Sequence, residues 1–168
     1  MTAIIKTWVH NRPGVLDRIT GLIRRKGWNI RTLVAGGVDE GLSQIDIVLE
    51  GRGLDVEALG EYLVEMDAIC SFEKCTEQSH LVREILIFCL HTDKRELVGF
   101  GGEAVLHAVE QARLITEQGG LCFYEYSDSA AEVDKLLNTL CRLNIRCVYS
   151  GALTLAYSEG GDTFASNG

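Results

Sequence analysis

The chain has 168 residues, of which 46% are hydrophobic and 24% charged, and its formal net charge is −8. This balance is ordinary for a globular protein and excludes a disordered or collagen-like chain. The excess of acidic residues opposes binding to phosphate backbones or anionic lipid, so we expect neither nucleic acid nor a membrane as a partner.

The first residues and the cysteines indicate the compartment. The opening segment lacks the basic start and long apolar core of a signal peptide, and we therefore expect a cytoplasmic protein. The six cysteines include no CxxC pair, and the four histidines are scattered with no obvious acid beside them. We expect free cysteines that pack as small apolar residues, and no metal site.

The first half of the chain reads as six elements in the order β-α-β-β-α-β. The predicted ranges are strand 3–10, helix 14–26, strand 28–36, strand 42–50, helix 56–65 and strand 67–75. The first helix has an apolar stripe formed by Val15, Leu16, Ile19, Leu22 and Ile23. The third strand alternates, which places Ile45, Ile47 and Leu49 on the face toward the core.

Two further features support the second helix. Asp55 precedes it and is a residue type that caps helix starts. Helical spacing predicts that its inward side chains are Leu59, Tyr62, Leu63 and Met66.

A similar order follows the short polar segment 76–80. It comprises strand 83–91, a helix within 103–111, strand 112–117, strand 121–126, helix 129–142 with Ser129 as its cap, and strand 145–157. The glycine-rich residues 98–103 make the helix within 103–111 the least regular of these elements. We therefore predict an α+β protein of two tandem ferredoxin-like βαββαβ units. The predicted domains are 1–76 and 81–158, followed by a flexible tail over 159–168.

The start of the first helix has the features of a site for a carboxylate. Pro13 suits the first helical position, and Gly14 lets another group approach the backbone closely. A helix start presents unpaired N–H groups and a partial positive charge. Asn11 adds a side chain that both donates and accepts hydrogen bonds.

The end of the same helix carries a second candidate. Gly27 is placed to end the helix, and Asn29 follows it. About thirteen residues at 1.5 Å each separate the two ends by roughly 20 Å, so Asn11 and Asn29 cannot share a small ligand within one unit. Two copies packed side by side could bring them together. The alternative interpretation is that both ends are ordinary turn and helix-end chemistry.

The stretch NRPGVLDRITGLIRRKGWNIRTLVAG resembles the signature of the ACT domain in regulatory small subunits of acetolactate synthase, also called acetohydroxyacid synthase. The positions that match are Asn11, Gly14, Val15, Leu16, Arg18, Ile19, Gly21, Leu22, Lys26, Gly27, Trp28, Asn29, Ile30 and Leu33. The VREI segment at 82–85 is similar to the Arg-Glu pair that opens the family's second domain.

Four positions depart from that signature. Gln44 and Asp46 stand where Arg and Thr are usual in the third strand. Trp28 replaces the usual Tyr or Phe, and Glu159 stands where Arg is typical. These departures leave room for activation of a partner without inhibition.

The resemblance implies a protein that performs no chemistry of its own. It implies contact with an acetolactate synthase catalytic subunit, which uses thiamine diphosphate, Mg²⁺ and FAD to make acetolactate from pyruvate. This chain would raise that subunit's activity and confer feedback inhibition by valine or another branched-chain amino acid. The effector would lie between the ACT domains of a homodimer, with Asn11, Gly14 and Val15 on one side and Asn29 and Ile30 on the other.

Other classes of function remain as alternatives. A free-standing ACT-domain sensor that acts on a different protein is the main one. An enzyme is disfavoured because the sequence has no nucleophile elbow, phosphate loop or metal-ligand pair. A DNA-binding regulator is opposed by the acidic charge.

Overall fold

A computed structural model describes residues 1–94, 97 and 102–157 of the chain. The chain divides into two compact units: residues 1–82 together with 151–157, and residues 83–150. Within the described residues, no helix is both long enough and apolar enough to cross a membrane.

The first unit is a four-stranded sheet with two helices. Its elements are β1 (Thr2–His10), α1 (Val15–Arg25), β2 (Asn29–Asp39), β3 (Leu42–Glu50), α2 (Val56–Val64) and β4 (Ile69–Cys75). The strands lie in the order β2-β3-β1-β4, and each neighbouring pair is antiparallel.

The second part of the chain repeats this topology. Its elements are β5 (His80–His91), α3 (Gly102–Gln111), β6 (Arg113–Gln118), β7 (Leu121–Asp128), α4 (Ala130–Arg142) and β8 (Cys147–Ala156). The strand order β6-β7-β5-β8 corresponds strand for strand to that of the first sheet. The predicted fold class, two ferredoxin-like βαββαβ units in tandem, is confirmed.

The ranges 1–76 and 81–158 stay predictions as domains, because residues 151–157 group with the first unit in the structure. The tail 159–168, including Glu159, lies outside the described residues, and so does most of the glycine-rich stretch 98–103.

Local chemistry explains where the helices begin and end. The Asp55 carboxylate accepts a hydrogen bond from the Ala58 N–H at 3.0 Å, and the Ser129 hydroxyl accepts one from the Glu132 N–H at 3.4 Å. Both predicted caps are therefore present. Gly27 follows α1 with a φ of +73°, which is the left-handed exit that the sequence indicated.

Each unit has its own apolar core. In the first unit it lies between the two helices and one face of the sheet, and it includes Ile5, Ile19, Leu22, Ile45, Ile47, Leu49, Leu59 and Leu63. In the second unit it includes Leu86, Phe88, Leu90, Val105, Tyr124, Val133, Leu136 and Leu140. The predicted core face of β3 is confirmed.

Two side chains predicted to point inward are exposed instead. Leu16 is 43% exposed and Tyr62 is 47% exposed, so both predictions were wrong. Leu16 lines a surface hollow at the start of α1. The Tyr62 ring lies 4.2 Å from the Lys26 ammonium, a contact that favours the ring at the surface.

The face of the first sheet that carries Lys6, Trp8, Asp46 and Val48, which we call the outer face, is also buried. None of these four side chains is more than 4% exposed. The alternation in β3 indicated one buried face only. The second face is buried as well, and residues 151–157 contact part of it, with the Thr154 hydroxyl 2.5 Å from the Asp46 carboxylate.

The two glycines inside α1 and α2 predict opposite effects of the same substitution. A Cβ at Gly60 would lie 2.5 Å from the Phe72 ring, whereas a Cβ at Gly21 would have only the Arg25 guanidinium at 3.6 Å. Gly21→Ala should stabilise the fold by about 0.5–1 kcal/mol, the usual gain from replacing glycine in a helix. Gly60→Ala should destabilise it by about 1–3 kcal/mol, because overpacking outweighs that gain. Urea unfolding of both variants checks this, and equal stabilisation by the two would contradict the packing described.

Candidate functional site

The start of α1 is shaped by a left-handed glycine. Gly14 is the N-cap residue with a φ of +85°, and the helix begins at Val15. Pro13 therefore lies in the preceding turn, so its predicted place as the first helical residue was wrong. The first intrahelical hydrogen bond joins the Arg18 N–H to the Gly14 carbonyl at 3.1 Å. The N–H groups of Leu16 and Asp17 precede it, at the positive end of the helix dipole.

Backbone hydrogen bonds hold the segment that leads into this helix. The Asn11 N–H donates to the Gly41 carbonyl at 2.7 Å, and the His10 N–H donates to the Ala68 carbonyl at 2.8 Å. Residues 11–14 are all exposed, whereas Val15 is buried. The main chain is thus fixed while the Asn11 side chain and the Gly14 backbone face outward.

A hollow of about 370 Å³ lies at this helix start. We call it the helix-start hollow, and its lining residues are Val9, His10, Asn11, Arg12, Pro13, Gly14, Val15, Leu16, Ala35, Ser43 and Ile45. Val9, Val15 and Ile45 are buried members of the core and give the hollow an apolar wall. Its volume lies at the small end of the range for ligand pockets, about 300–1,000 Å³.

A second hollow, of about 390 Å³, lies along α1 toward its other end. We call it the helix-end hollow, and its lining residues are Asp17, Thr20, Gly21, Ile23, Arg24, Trp28, Asn29 and Ile30. Trp28 is placed by its N–H, which donates to the Ile23 carbonyl at 3.3 Å as the chain leaves the helix. Asn29 and Ile30 then open β2.

The structure therefore groups the five predicted site residues into two sets. Asn11, Gly14 and Val15 line the helix-start hollow, and Asn29 and Ile30 line the helix-end hollow. The eleven residues of α1 span about 16 Å, close to the separation expected from the sequence. That these residues bind a ligand stays a prediction.

Sequence reasoning missed several residues of the helix-start hollow. Arg12 adds a cationic side chain beside the helix start. Ala35 and Ser43 come from β2 and β3, where Ala35 pairs with Ile45 and Ser43 pairs with Val9. The signal for Ser43 was present, because alternation places it on the same strand face as Ile45.

One histidine has an acidic partner that the sequence did not indicate. Nε2 of the buried His80 lies 3.1 Å from a Glu73 carboxylate oxygen, and its Nδ1 lies 2.9 Å from the Ser79 hydroxyl. The sequence shows no obvious acid beside a histidine, and this contact is therefore a finding of the structure. Strand β4 carries Glu73, seven residues before His80, and only the fold shows that their side chains meet.

The cysteines are unpaired. All six are free thiols, and Cys75, Cys89 and Cys122 are buried. Across residues 1–94, 97 and 102–157, no three His, Cys, Asp or Glu side chains are grouped so that they could hold a metal ion.

The first part of the chain is similar in sequence to known proteins. Residues 5–71 match the family described as the AHAS small subunit-like ACT domain. The chain is 36% identical over 92 residues to a probable acetolactate synthase small subunit of Archaeoglobus fulgidus, covering 54% of this chain and 57% of the relative. It is also 36% identical over 89 residues to the acetolactate synthase small subunit of Bacillus subtilis, covering 52% of each chain. Residues 5–71 are thus similar to an AHAS small subunit-like ACT domain.

A solved structure extends the likeness in fold. The crystal structure of the acetolactate synthase small subunit from Thermotoga maritima superposes with a TM-score of 0.75, at 18% identity, over 94% of this chain and 98% of that one. The sequence matches span about half the length of the curated relatives. The ACT domain contains both hollows of α1, and the rest of the chain shares the fold of the Thermotoga subunit.

Proposed function

We propose that this chain is a regulatory subunit of acetolactate synthase that binds a branched-chain amino acid and has no catalytic residues of its own. The observation that carries the proposal is the uncapped helix start at Gly14, which opens into an apolar-walled hollow of about 370 Å³ within an ACT domain of this type. A catalytic subunit, to which thiamine diphosphate, Mg²⁺ and FAD would belong, is the proposed partner.

The helix-start hollow suits the three parts of a branched-chain amino acid. The N–H groups at the start of α1 would receive the carboxylate, with Arg12 adding positive charge nearby. The Asn11 amide oxygen would accept hydrogen bonds from the ammonium group. The apolar wall formed by Val9, Val15 and Ile45 would pack against the branched side chain.

The proposed site is completed by a second copy of the chain. Asn29 and Ile30 lie about one length of α1 away from Gly14 within a unit, too far to touch the same amino acid. In a homodimer with α1 of each copy near α1 of the other, the helix-end residues of one copy would meet the helix-start hollow of its partner. Such a dimer would have two equivalent sites.

Regulation would follow because the amino acid binds two arrangements of the regulatory dimer with unequal affinity. An amino acid that binds one arrangement of the regulatory dimer more tightly shifts the complex toward that arrangement. Allosteric coupling between sites is typically about 1–3 kcal/mol, or about 5- to 150-fold in affinity. A change in affinity of that size is sufficient for an amino acid to regulate the activity of an enzyme.

A reconstitution assay tests the functional proposal. The purified chain should produce no acetolactate alone, should raise the rate of its catalytic subunit, and should make that rate sensitive to valine, leucine or isoleucine. Acetolactate formation is measured with each subunit separately and with the mixture. If the catalytic rate is the same with and without this chain, the regulatory proposal fails, and an amino-acid sensor acting on another protein takes its place.

A charge placed at Gly14 tests the binding geometry. Asp and Asn both tolerate a positive φ, and nothing lies within 4 Å of a Cβ at this position. Gly14→Asp should weaken amino-acid binding by about three orders of magnitude, because two carboxylates about 4 Å apart repel by about 4 kcal/mol at an effective dielectric constant of 20. Gly14→Asn is the matched control, with the same shape and no charge, and should lose much less affinity. Calorimetry with valine measures both, and equal losses would show that the carboxylate does not lie at this helix start.

A further inference from the structure

Two of the six free cysteines lie close together in the second unit. Cys141 is the next-to-last residue of α4, and Cys147 is the first residue of β8. Their thiol groups are within hydrogen-bonding reach of each other. Cys141 is exposed and Cys147 is partly buried, so a small reagent in solution reaches this pair through Cys141.

The turn between the two cysteines explains their proximity. Asn144, two residues past the end of α4, is left-handed with a φ of +55°. Its N–H donates to the Cys141 carbonyl at 3.1 Å, and the Ile145 N–H donates to the Leu140 carbonyl at 2.9 Å. These two bonds are those of a Schellman motif, which ends a helix and turns the chain away from its axis. Because the chain turns there, Cys147 lies beside the last turn of α4.

Packing on the core holds both sides of this turn in place. Leu140 and Ile145 are buried members of the apolar core of the second unit, and Cys147 packs against the same core. The Arg146 carbonyl accepts a hydrogen bond from the Cys89 N–H at 3.2 Å, which ties the residue before Cys147 to strand β5. The folded backbone thus keeps the two thiols near each other, as a disulfide requires.

The environments of the two thiols give them different roles in an exchange reaction. Burial raises the pKa of the Cys147 thiol, and the neighbouring Cys141 raises it further. The thiolate is the attacking form in thiol–disulfide exchange, so the exposed Cys141 attacks first. Once the Cys141 sulfur is bonded to another sulfur, it has no charge to hold the Cys147 thiol protonated. Cys147 is then the thiol that attacks second.

We propose that Cys141 and Cys147 are a site of reversible modification, at which a low-molecular-weight disulfide oxidises the two thiols to an intramolecular disulfide. The Cys141 thiolate attacks one sulfur of the reagent, which releases one thiol and leaves a mixed disulfide. The Cys147 thiol then loses its proton to solvent and attacks the Cys141 sulfur, which releases the second thiol. The protein gives up two electrons and two protons, and the reagent becomes two thiols. The site does not depend on the proposed function.

The disulfide has a structural consequence for the turn 142–146. It joins the last turn of α4 to the first residue of β8 and so closes a ring around the Schellman motif. A crosslink that closes a ring reduces the freedom of the enclosed residues when they open. Oxidation should therefore make local opening of this turn less frequent.

Glutathione and its disulfide are suitable probes for the full chain. Trypsin cuts after Lys135, Arg142 and Arg146, so a Cys141–Cys147 disulfide links peptide 136–142 to peptide 147–168. The chain is equilibrated with the two forms of glutathione, remaining thiols are blocked with N-ethylmaleimide, and the digest is analysed by mass spectrometry before and after reduction. The linked peptides, the glutathione-bound peptides and the blocked peptides report the three states of Cys141.

Cys70 is a matched control within the chain. It is exposed on β4, and Cys75 on the same strand is five residues away, about 16 Å at 3.3 Å per residue. That distance prevents Cys75 from attacking a mixed disulfide at Cys70. Cys147→Ser is the control for Cys141, because it keeps the size of the side chain and removes the second attacking thiol.

The disulfide-linked form should exceed the glutathione-bound form of Cys141 by about tenfold or more. The reason is that a thiol held in place has an effective concentration above the millimolar range of the free competitor. Cys70, and Cys141 in Cys147→Ser, should instead carry glutathione. A wild-type Cys141 that retains glutathione as Cys70 does, or that stays reduced while Cys70 is modified, would overturn the proposed site.

Amide hydrogen exchange tests the effect on the turn. The Asn144 and Ile145 N–H groups should exchange about tenfold more slowly, or slower still, in the oxidised chain than in the reduced chain. The Leu59 N–H, which donates to the Asp55 carbonyl in the first unit, should exchange at the same rate in both forms. Equal exchange of Asn144 and Ile145 in the two forms would overturn the stabilised turn alone, whereas the modification site is judged by the linked peptides.

Discussion

The length of helix α1 determines which of the predicted site residues can contact the same ligand. Its eleven residues, which lie between Gly14 and Asn29, span about 16 Å, and the left-handed glycines at positions 14 and 27 fix how the chain enters and leaves it. Each end therefore has its own hollow, and neither hollow contains all five predicted site residues. A site that uses both ends must draw them from two copies. The proposed dimer follows from this separation rather than from any surface patch.

Both faces of the first sheet are buried. Helices α1 and α2 cover one face with an apolar core, while the outer face buries Lys6 and Asp46 and receives the Thr154 hydroxyl at the Asp46 carboxylate. An apolar core is not specific about which segment fills it, but a buried carboxylate requires donors in fixed positions. One face of β3 thus lines the helix-start hollow, whereas the other holds a buried carboxylate in fixed hydrogen bonds.

Local features were predictable from the sequence, and long-range ones were not. The alternation in β3, the cap at Asp55 and the helix exit at Gly27 each depend on a few adjacent residues, so they could be read directly. Pro13 was misplaced because the φ of Gly14 decides where the helix begins. The contact between Thr154 and Asp46 joins residues 108 positions apart, and no local pattern indicates it. For the same reason the sequence indicated that the predicted site residues lie at the two ends of one helix, but it did not indicate the lining residues that neighbouring strands contribute.

The central claim, that two copies of the chain build each amino-acid site, is tested most directly by mixing two variants that each bind valine more weakly. Gly14→Asp damages the helix-start half of the site and Asn29→Ala the helix-end half, so a homodimer of either variant has two impaired sites. A mixed dimer of the two has one site with both defects and one with neither. Co-expression with two different affinity tags isolates the mixed dimer, and calorimetry with valine measures its binding. The account predicts wild-type affinity at half the wild-type number of sites, whereas a mixed dimer that binds no better than its parents would contradict it.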